Sequence, residues 1–228
     1  MTGRDNELWQ QSWRDRDIAF HQSVVNPLLV RFWPDFKLTA DDLVFVPLCG
    51  KSLDLLWLAG QGHAVIGVEL SPLAVRAFFR ENKLQPTRRK VGKFTRWEHG
   101  RISILCGDFF ALSAADLGDV SMVFDRAALT ALPDDLRSAY IAQLGRILPA
   151  NCRMLLLTTE EPEEGETQGQ PFAVADEIAS LYTSAFDIEL RHVESIFEPD
   201  PDPAISQPVR VEQKVYCLTP KSAPSSAP

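Results

Sequence analysis

The spacing of apolar positions changes repeatedly along the chain. Leu43-Val44-Phe45-Val46-Pro47-Leu48 is a short continuous apolar run, the pattern of a strand buried on both faces. Ser52 stands where a helix cap would, and Leu53, Leu56 and Trp57 follow at i, i+3 and i+4, which predicts a helix ending near Gly62. Ala64-Val65-Ile66-Gly67-Val68-Glu69 predicts a second strand. Ser71-Pro72 then opens a helix whose apolar face carries Leu73, Ala77 and Phe78. Residues 101–106 predict a third strand, in a hairpin with 91–97 that turns at Gly100. Further on, strands are predicted at 120–125 and 152–159, amphipathic helices at 134–148 and 174–185, and closing strands at 186–193 and 209–218.

Strands alternating with helices predict an α/β fold, a doubly wound and mostly parallel sheet covered on both faces. The two late strands, joined without a helix, predict antiparallel pairing at one edge. Such sheets bind ligands at the carboxyl ends of their strands. The residues just past each strand are therefore the candidates for chemistry.

After strand one comes Pro47-Leu48-Cys49-Gly50-Lys51-Ser52. A phosphate-binding G-x-x-x-x-G-K-[ST] loop would need glycine at position 45, which is Phe45, and no G-x-G-x-x-G fingerprint is present. What remains is a tight turn in which Gly50 lets a ligand approach the backbone, or a plain structural turn. Strand two ends in Glu69, nineteen positions beyond Gly50, where this architecture places a carboxylate on ribose hydroxyls. Strand three runs into Gly107-Asp108-Phe109-Phe110, which suits an adenine held at its edge and packed on its face; two core phenylalanines after a turn is the other reading. Strand four runs into Asp125-Arg126. That arginine can pair with a carboxylate or face an anionic substrate, and Asp125 can be its ion-pair partner. A nucleoside and a carboxylate without a phosphate loop point to S-adenosylmethionine, and so to a methyltransferase.

Composition narrows the partners. The chain has 228 residues, 45% hydrophobic and 24% charged, which suits one core. The expected organisation is a single S-adenosylmethionine-dependent domain over 1–219 with a disordered Ser/Ala/Pro tail at 220–228. A net charge of −8 disfavours a general polyanion binder, but it averages over an uneven chain, so the expectation of no nucleic-acid partner rests on the small-molecule site reading above. The acidity is local, because residues 160–202 hold thirteen acidic side chains against one basic, Arg191. The basic cluster Arg88-Arg89-Lys90, Lys93 and Arg96 reads as a solvated hairpin. No apolar run approaches a membrane span and no secretory signal is visible, so a cytoplasmic monomer with no membrane partner is expected. Cys49, Cys106, Cys152 and Cys217 are widely spaced and the four histidines are isolated, so no metal is expected.

Three stretches, Pro47-Leu48-Cys49-Gly50-Lys51-Ser52, Gly67-Val68-Glu69-Leu70-Ser71 and Asp125-Arg126-Ala127-Ala128-Leu129, resemble the thiopurine S-methyltransferase family in its bacterial form. So do Trp9, Trp13, Phe20-His21-Gln22 and Asn26-Pro27-Leu28-Leu29 near the start, and Gln170-Pro171-Phe172 late in the chain. The resemblance covers nearly everything from Trp9 to Leu218, in order. It implies a class I methyltransferase fold with a seven-stranded sheet, an antiparallel last strand and an N-terminal helical lid over residues 1–34. It also implies methyl transfer from S-adenosylmethionine to a small aromatic or heterocyclic thiol. Carried over by motif, Trp13, Leu48, Glu69 and Arg126 would contact the cofactor, with Asp108 and Phe109 near the adenine and Phe20 facing the acceptor. Arg126 is also the candidate for stabilising an incoming anion. The chain departs from the family at Gly169-Gln170-Pro171-Phe172, at Glu160-Glu161-Pro162 where many bacterial members have Asp-Tyr, and at the acidic loop 198–203. These departures leave the acceptor open, to selenium or tellurium species or other small anions on the same fold, and keep a cofactor-binding module without transfer as an alternative; an NAD-dependent oxidoreductase on the same sheet is a further alternative, against which the missing G-x-G-x-x-G weighs.

Overall fold

Strand β1 (Leu43–Val46) stops where its sequence makes it stop. Pro47 has no N–H for a ladder, and Leu48 turns left-handed with φ 45°. The computed structural model describes residues 10–11, 13–15, 21–161, 174–198 and 207–221. They divide into two units. One runs as far as Phe124 and takes in Ala142–Cys152; the other consists of Asp125–Ile141 and the described residues from Arg153 onward.

In the first unit the strand order is β3-β4-β5-β2-β1-β6, with β2 Ala64–Glu69, β3 Thr87–Val91, β4 Phe94–His99, β5 Ile102–Cys106 and β6 Val120–Arg126. The last two residues of β6 belong to the second unit. Strands β5, β2, β1 and β6 pair in parallel, and their central residues (Val44, Phe45, Val65, Val68, Ile104, Leu105, Val123) are buried. Helices Asp54–Gly60 and Pro72–Glu81 make the crossovers around β2. Ser71 caps the second of these, accepting from Ala74 N with Pro72 in the first turn, as the sequence predicts. Ser52 does not cap the first. That helix starts from Leu53 without a side-chain cap, while the Ser52 hydroxyl accepts from Asp54 N and donates to the Asp54 carboxylate.

The segment before β5 folds further than the sequence predicts. Residues 94–99 pair antiparallel with β5 as expected, and Thr87–Val91 adds a second hairpin through Gly92 and Lys93. The basic cluster lies on this ribbon. Arg88 stacks 4.9 Å from the Trp97 ring, and Arg89 and Arg96 face Glu98 at 3.2 and 3.7 Å. The exposed, charged β3 is the kind of strand that blunts a sheet edge.

In the second unit β7 (Arg153–Glu160), β9 (Val209–Pro220) and β8 (Phe186–Glu198) pair antiparallel in the order β7-β9-β8. This places the two late strands together, as their helix-free connection predicts. Nine strands are thus present among the described residues, where seven were expected. The surplus is the β3–β4 ribbon, whose Gly92 takes φ 53° to close the turn. Trp9, Phe20, the Gln170-Pro171-Phe172 motif, most of the acidic loop 198–203 and the tail beyond residue 221 lie outside the described residues.

Candidate functional site

In the first unit the site is built from turns that follow parallel strands. Cys49 N–H donates to Val68 O at 2.9 Å, which carries the β1–β2 pairing past the end of β1. Gly50, at φ 54°, turns the chain, and its N–H donates to Glu69 Oε2 at 2.9 Å. Glu69 Oε1 accepts from Ser71 N at 2.6 Å. One carboxylate therefore staples the turn after β1 to the turn after β2, across the nineteen-residue spacing noted in the sequence. Glu69 is buried, and burial pushes its pKa up to about 7 against the backbone N–H groups of Ser71, Gly50 and Leu70, which pull it down. An ionised carboxylate has about four lone-pair sites, so three N–H donors leave room for a ligand hydroxyl.

Two glycines let neighbours close on this staple. A Cβ on Gly67 would lie 2.7 Å from Cys49 Sγ, and one on Gly107 would lie 2.5 Å from the Phe94 ring. Trp13 comes to the same place, since a side chain on Gly50 would begin 3.4 Å from its indole. Trp13, Leu48, Gly50 and Glu69 are thereby gathered at one turn. Leu48 contributes a left-handed backbone that costs a non-glycine residue about 1–3 kcal/mol and that clusters at functional sites.

The turn after β5 is nearby in the same sheet. Gly107 N–H donates to Glu69 O at 2.9 Å, and Asp108 caps the short turn Phe109–Ala111 by accepting from Phe110 N at 2.9 Å. The Phe109 ring is 1% exposed and belongs to the core, with Phe110 edge-on to it at 5.3 Å. Gln143, itself buried, donates to Phe109 O and Leu112 O. This turn therefore offers backbone and the Asp108 carboxylate, while the Phe109 ring is packed in the core.

The N-terminal segment is tied to this unit by a contact the sequence does not announce. Asn26 N–H donates to Asp54 Oδ1 at 2.8 Å, and the Asn26 side chain caps helix Pro27–Phe32. Asp54 is 1% exposed. Its only sequence signal is an acidic residue two places after Ser52, and its partner is 28 positions away.

Arg126 belongs to the second unit and ends β6. Ala127 follows at φ 61°, a second non-glycine left-handed residue directly beyond a strand end. Asp125 is fully buried, accepting from Tyr140 O–H at 2.7 Å and Ala128 N at 3.1 Å. Burial raises its pKa to about 6, opposed by Tyr140 and the N–H groups of Ala128 and Leu129, with the Arg126 charge a lesser influence. Asp125 is therefore held by the turn and by Tyr140. Cys49 is buried, and burial together with the Glu69 charge keeps its thiol protonated.

Among the described residues no three His, Cys, Asp or Glu side chains gather as a metal site, and no helix is long and apolar enough to cross a membrane. The family model for thiopurine S-methyltransferase matches residues 4–221. A thiopurine S-methyltransferase of Stutzerimonas stutzeri is 62% identical over 97% of this chain and 93% of its own length. One from Pseudomonas putida is 47% identical over 85% and 89%. Among solved structures, a SAM-dependent methyltransferase from Anabaena variabilis superposes with TM-score 0.61 at 17% identity, covering 95% of each chain. The Burkholderia thailandensis 1,6-didemethyltoxoflavin-N1-methyltransferase, solved with bound S-adenosylhomocysteine, superposes with TM-score 0.59 at 16% identity, covering 94% of this chain and 87% of that one. The two structures speak for the fold, an α/β methyltransferase-like fold with a mixed sheet, and the match along the sequence settles the lineage: this chain belongs to the thiopurine S-methyltransferase family.

Proposed function

We propose that this enzyme moves the methyl group of S-adenosylmethionine onto the sulfur of an aromatic or heterocyclic thiol. Family membership supports methyl transfer with that cofactor. The Glu69 staple is the observation that carries the site reading. It is a buried carboxylate, fixed by backbone N–H groups between two strand-end turns, with lone-pair capacity left for a ligand hydroxyl. Asp108 and the backbone after it would take the adenine, and Trp13 and Leu48 would cover the nucleoside. No phosphate cradle is present in these turns, which fits a cofactor that carries none.

Bound there, the cofactor would supply an electrophilic methyl on a sulfonium, which would pass to the acceptor sulfur's electron pair to give an S-methyl thioether while the sulfonium sulfur kept the electrons of its broken C–S bond as S-adenosylhomocysteine. An aromatic thiol has lost its proton to solvent near neutral pH, so the protein needs no strong base. Its residues would act by positioning and by excluding water. The Trp13 indole offers an aromatic face that favours a cationic centre. Arg126 would hold an anion, either the cofactor carboxylate or the incoming thiolate. The test is incubation of the purified protein with methyl-labelled S-adenosylmethionine and thiophenol. Label in the S-methyl thioether supports the proposal; S-adenosylhomocysteine binding without any labelled thioether refutes it.

A further inference from the structure

The carboxylate of Asp54 joins two stretches of the first unit that are far apart along the chain. Its Oδ1 accepts from Asn26 N–H at 2.8 Å and its Oδ2 from the Ser52 hydroxyl at 2.9 Å. Ser52 closes the turn around Gly50, its N–H donating to Cys49 O at 3.1 Å, and its Oγ accepts from Asp54 N. Asn26 passes this hold along its own segment, for its side chain accepts from Leu28 N and Leu29 N and donates to Gln22 Oε1 at 3.1 Å. Asn26, Ser52 and Asp54 are all buried. The N-terminal segment meets the same turn a second time, through the Trp13 indole against Gly50. Between those two contacts Lys51 donates to Glu81 Oε2 at 2.8 Å, which fixes the turn from another side.

We propose that Asp54 is a positioning residue for S-adenosylmethionine: it holds the N-terminal segment to the Gly50 turn, so that the Trp13 indole lies against the cofactor. This rests on the cofactor site read above at the turns after β1 and β2. A role confined to its own helix does not account for Asp54. An acidic residue in the first turn of helix Asp54–Gly60 would favour that helix from an exposed position, whereas a buried carboxylate is costly unless its partners compensate. Here the partners are a backbone N–H 28 positions away and the end of the cofactor turn. Without the carboxylate, the Asn26 N–H and the Ser52 O–H become buried donors, each carrying its desolvation cost. Relief comes when residues 22–26 lift toward water, and Trp13 then loses its fixed approach to Gly50. A displacement of about 1 Å in a positioning group is enough to cost a site more than the contact itself.

A double-mutant cycle on S-adenosylhomocysteine affinity tests this. Titration calorimetry is run on the full chain as wild type, Asp54→Ala, Trp13→Ala and the double variant, with thermal melts to confirm folding. Asp54→Ala is expected to weaken binding about tenfold when Trp13 is present and by less than about twofold in the Trp13→Ala background. Asp54→Asn, whose amide can accept from Asn26 N–H and donate to Ser52 Oγ, should stay within about threefold of wild type. Equal losses from Asp54→Ala in the two backgrounds overturn the proposal, as does wild-type affinity in a folded Asp54→Ala. A loss in Asp54→Asn as large as in Asp54→Ala overturns it too. Where Asp54→Ala does not fold, Ser52→Ala removes one hydrogen bond to the carboxylate and enters the same cycle. A loss of about threefold that depends on Trp13 is then expected, and wild-type affinity overturns the proposal. Trp13→Ala that binds as tightly as wild type removes Trp13 from the cofactor and overturns the site reading itself. Weaker binding in Trp13→Ala, with no coupling to Asp54, overturns the positioning role alone.

Discussion

In the proposed site Glu69 would serve both the fold and cofactor binding, and pH separates the two roles. Its pKa is pushed from 4.5 to about 7 by burial. Between those values the native state holds the proton more tightly than the unfolded chain. This group's contribution to stability is therefore fully present below pH 4.5 and is lost as pH rises through about 7, a total of about 3 kcal/mol. Cofactor binding should run the opposite way. If ribose hydroxyls donate to the ionised carboxylate, affinity follows the ionised fraction, which is about 0.9 at pH 8 and about 0.1 at pH 6, a fall of about tenfold. Titration calorimetry of S-adenosylhomocysteine at pH 8, 7 and 6 measures this, with Glu69→Gln as the control that cannot ionise. The expected result is a tenfold weakening in the wild type and a flat profile in the variant. Equal affinities at pH 8 and 6 in the wild type, or the same slope in Glu69→Gln, would refute the ribose role.

Other side chains make separate predictions. Tyr140→Phe removes the hydroxyl that supports ionised Asp125. It should destabilise the protein by about 1–3 kcal/mol at pH 8 and by less at pH 5, where a carboxyl whose pKa is about 6 is already protonated. Urea melts at both pH values check this, and an equal loss at the two contradicts it. Gly67→Ala brings a Cβ to 2.7 Å from Cys49 Sγ and should cost about 1–3 kcal/mol. A Cys49→Ala background should recover part of that loss in thermal melts, and no recovery would show the clash lies elsewhere. Arg126→Ala should lower kcat/KM for thiophenol by about tenfold or more through loss of a charge-assisted contact; wild-type turnover in this variant removes Arg126 from the site.

What the sequence revealed follows from locality. Strand runs, the Ser71-Pro72 cap and the acidic end of β2 are written in neighbouring residues, and the structure bears them out. The carboxyl-end rule then pointed to Gly50, Glu69, Asp108 and Arg126 as candidates without any coordinates, and the family resemblance added Leu48. The left-handed backbone of Leu48 and Ala127 was not legible, because neither residue type favours it and tertiary contacts impose it. Partnerships across long separations were hidden for a related reason. Asp54 with Asn26, Asp125 with Tyr140, and Lys214 with Glu160 are polar residues whose meaning depends on what the fold places opposite them. Phe109 was legible only as a choice: its aromatic character suits an adenine face or a place in the core, and the ring is 1% exposed. The β3 strand was missed because its alternation is masked by Arg88, Arg89 and Lys90, the charges suited to an edge.

The most direct test of the central claim follows the methyl group itself. Purified protein is incubated with methyl-labelled S-adenosylmethionine and, in separate reactions, an aromatic thiol, a heteroaromatic thiol and selenite, and each product is identified by mass spectrometry. Methylation at sulfur of the two thiols, with stoichiometric S-adenosylhomocysteine and little product from selenite, is the predicted result. Methylated selenium with untouched thiols, or no methylated product from a protein that binds S-adenosylhomocysteine, would contradict the account.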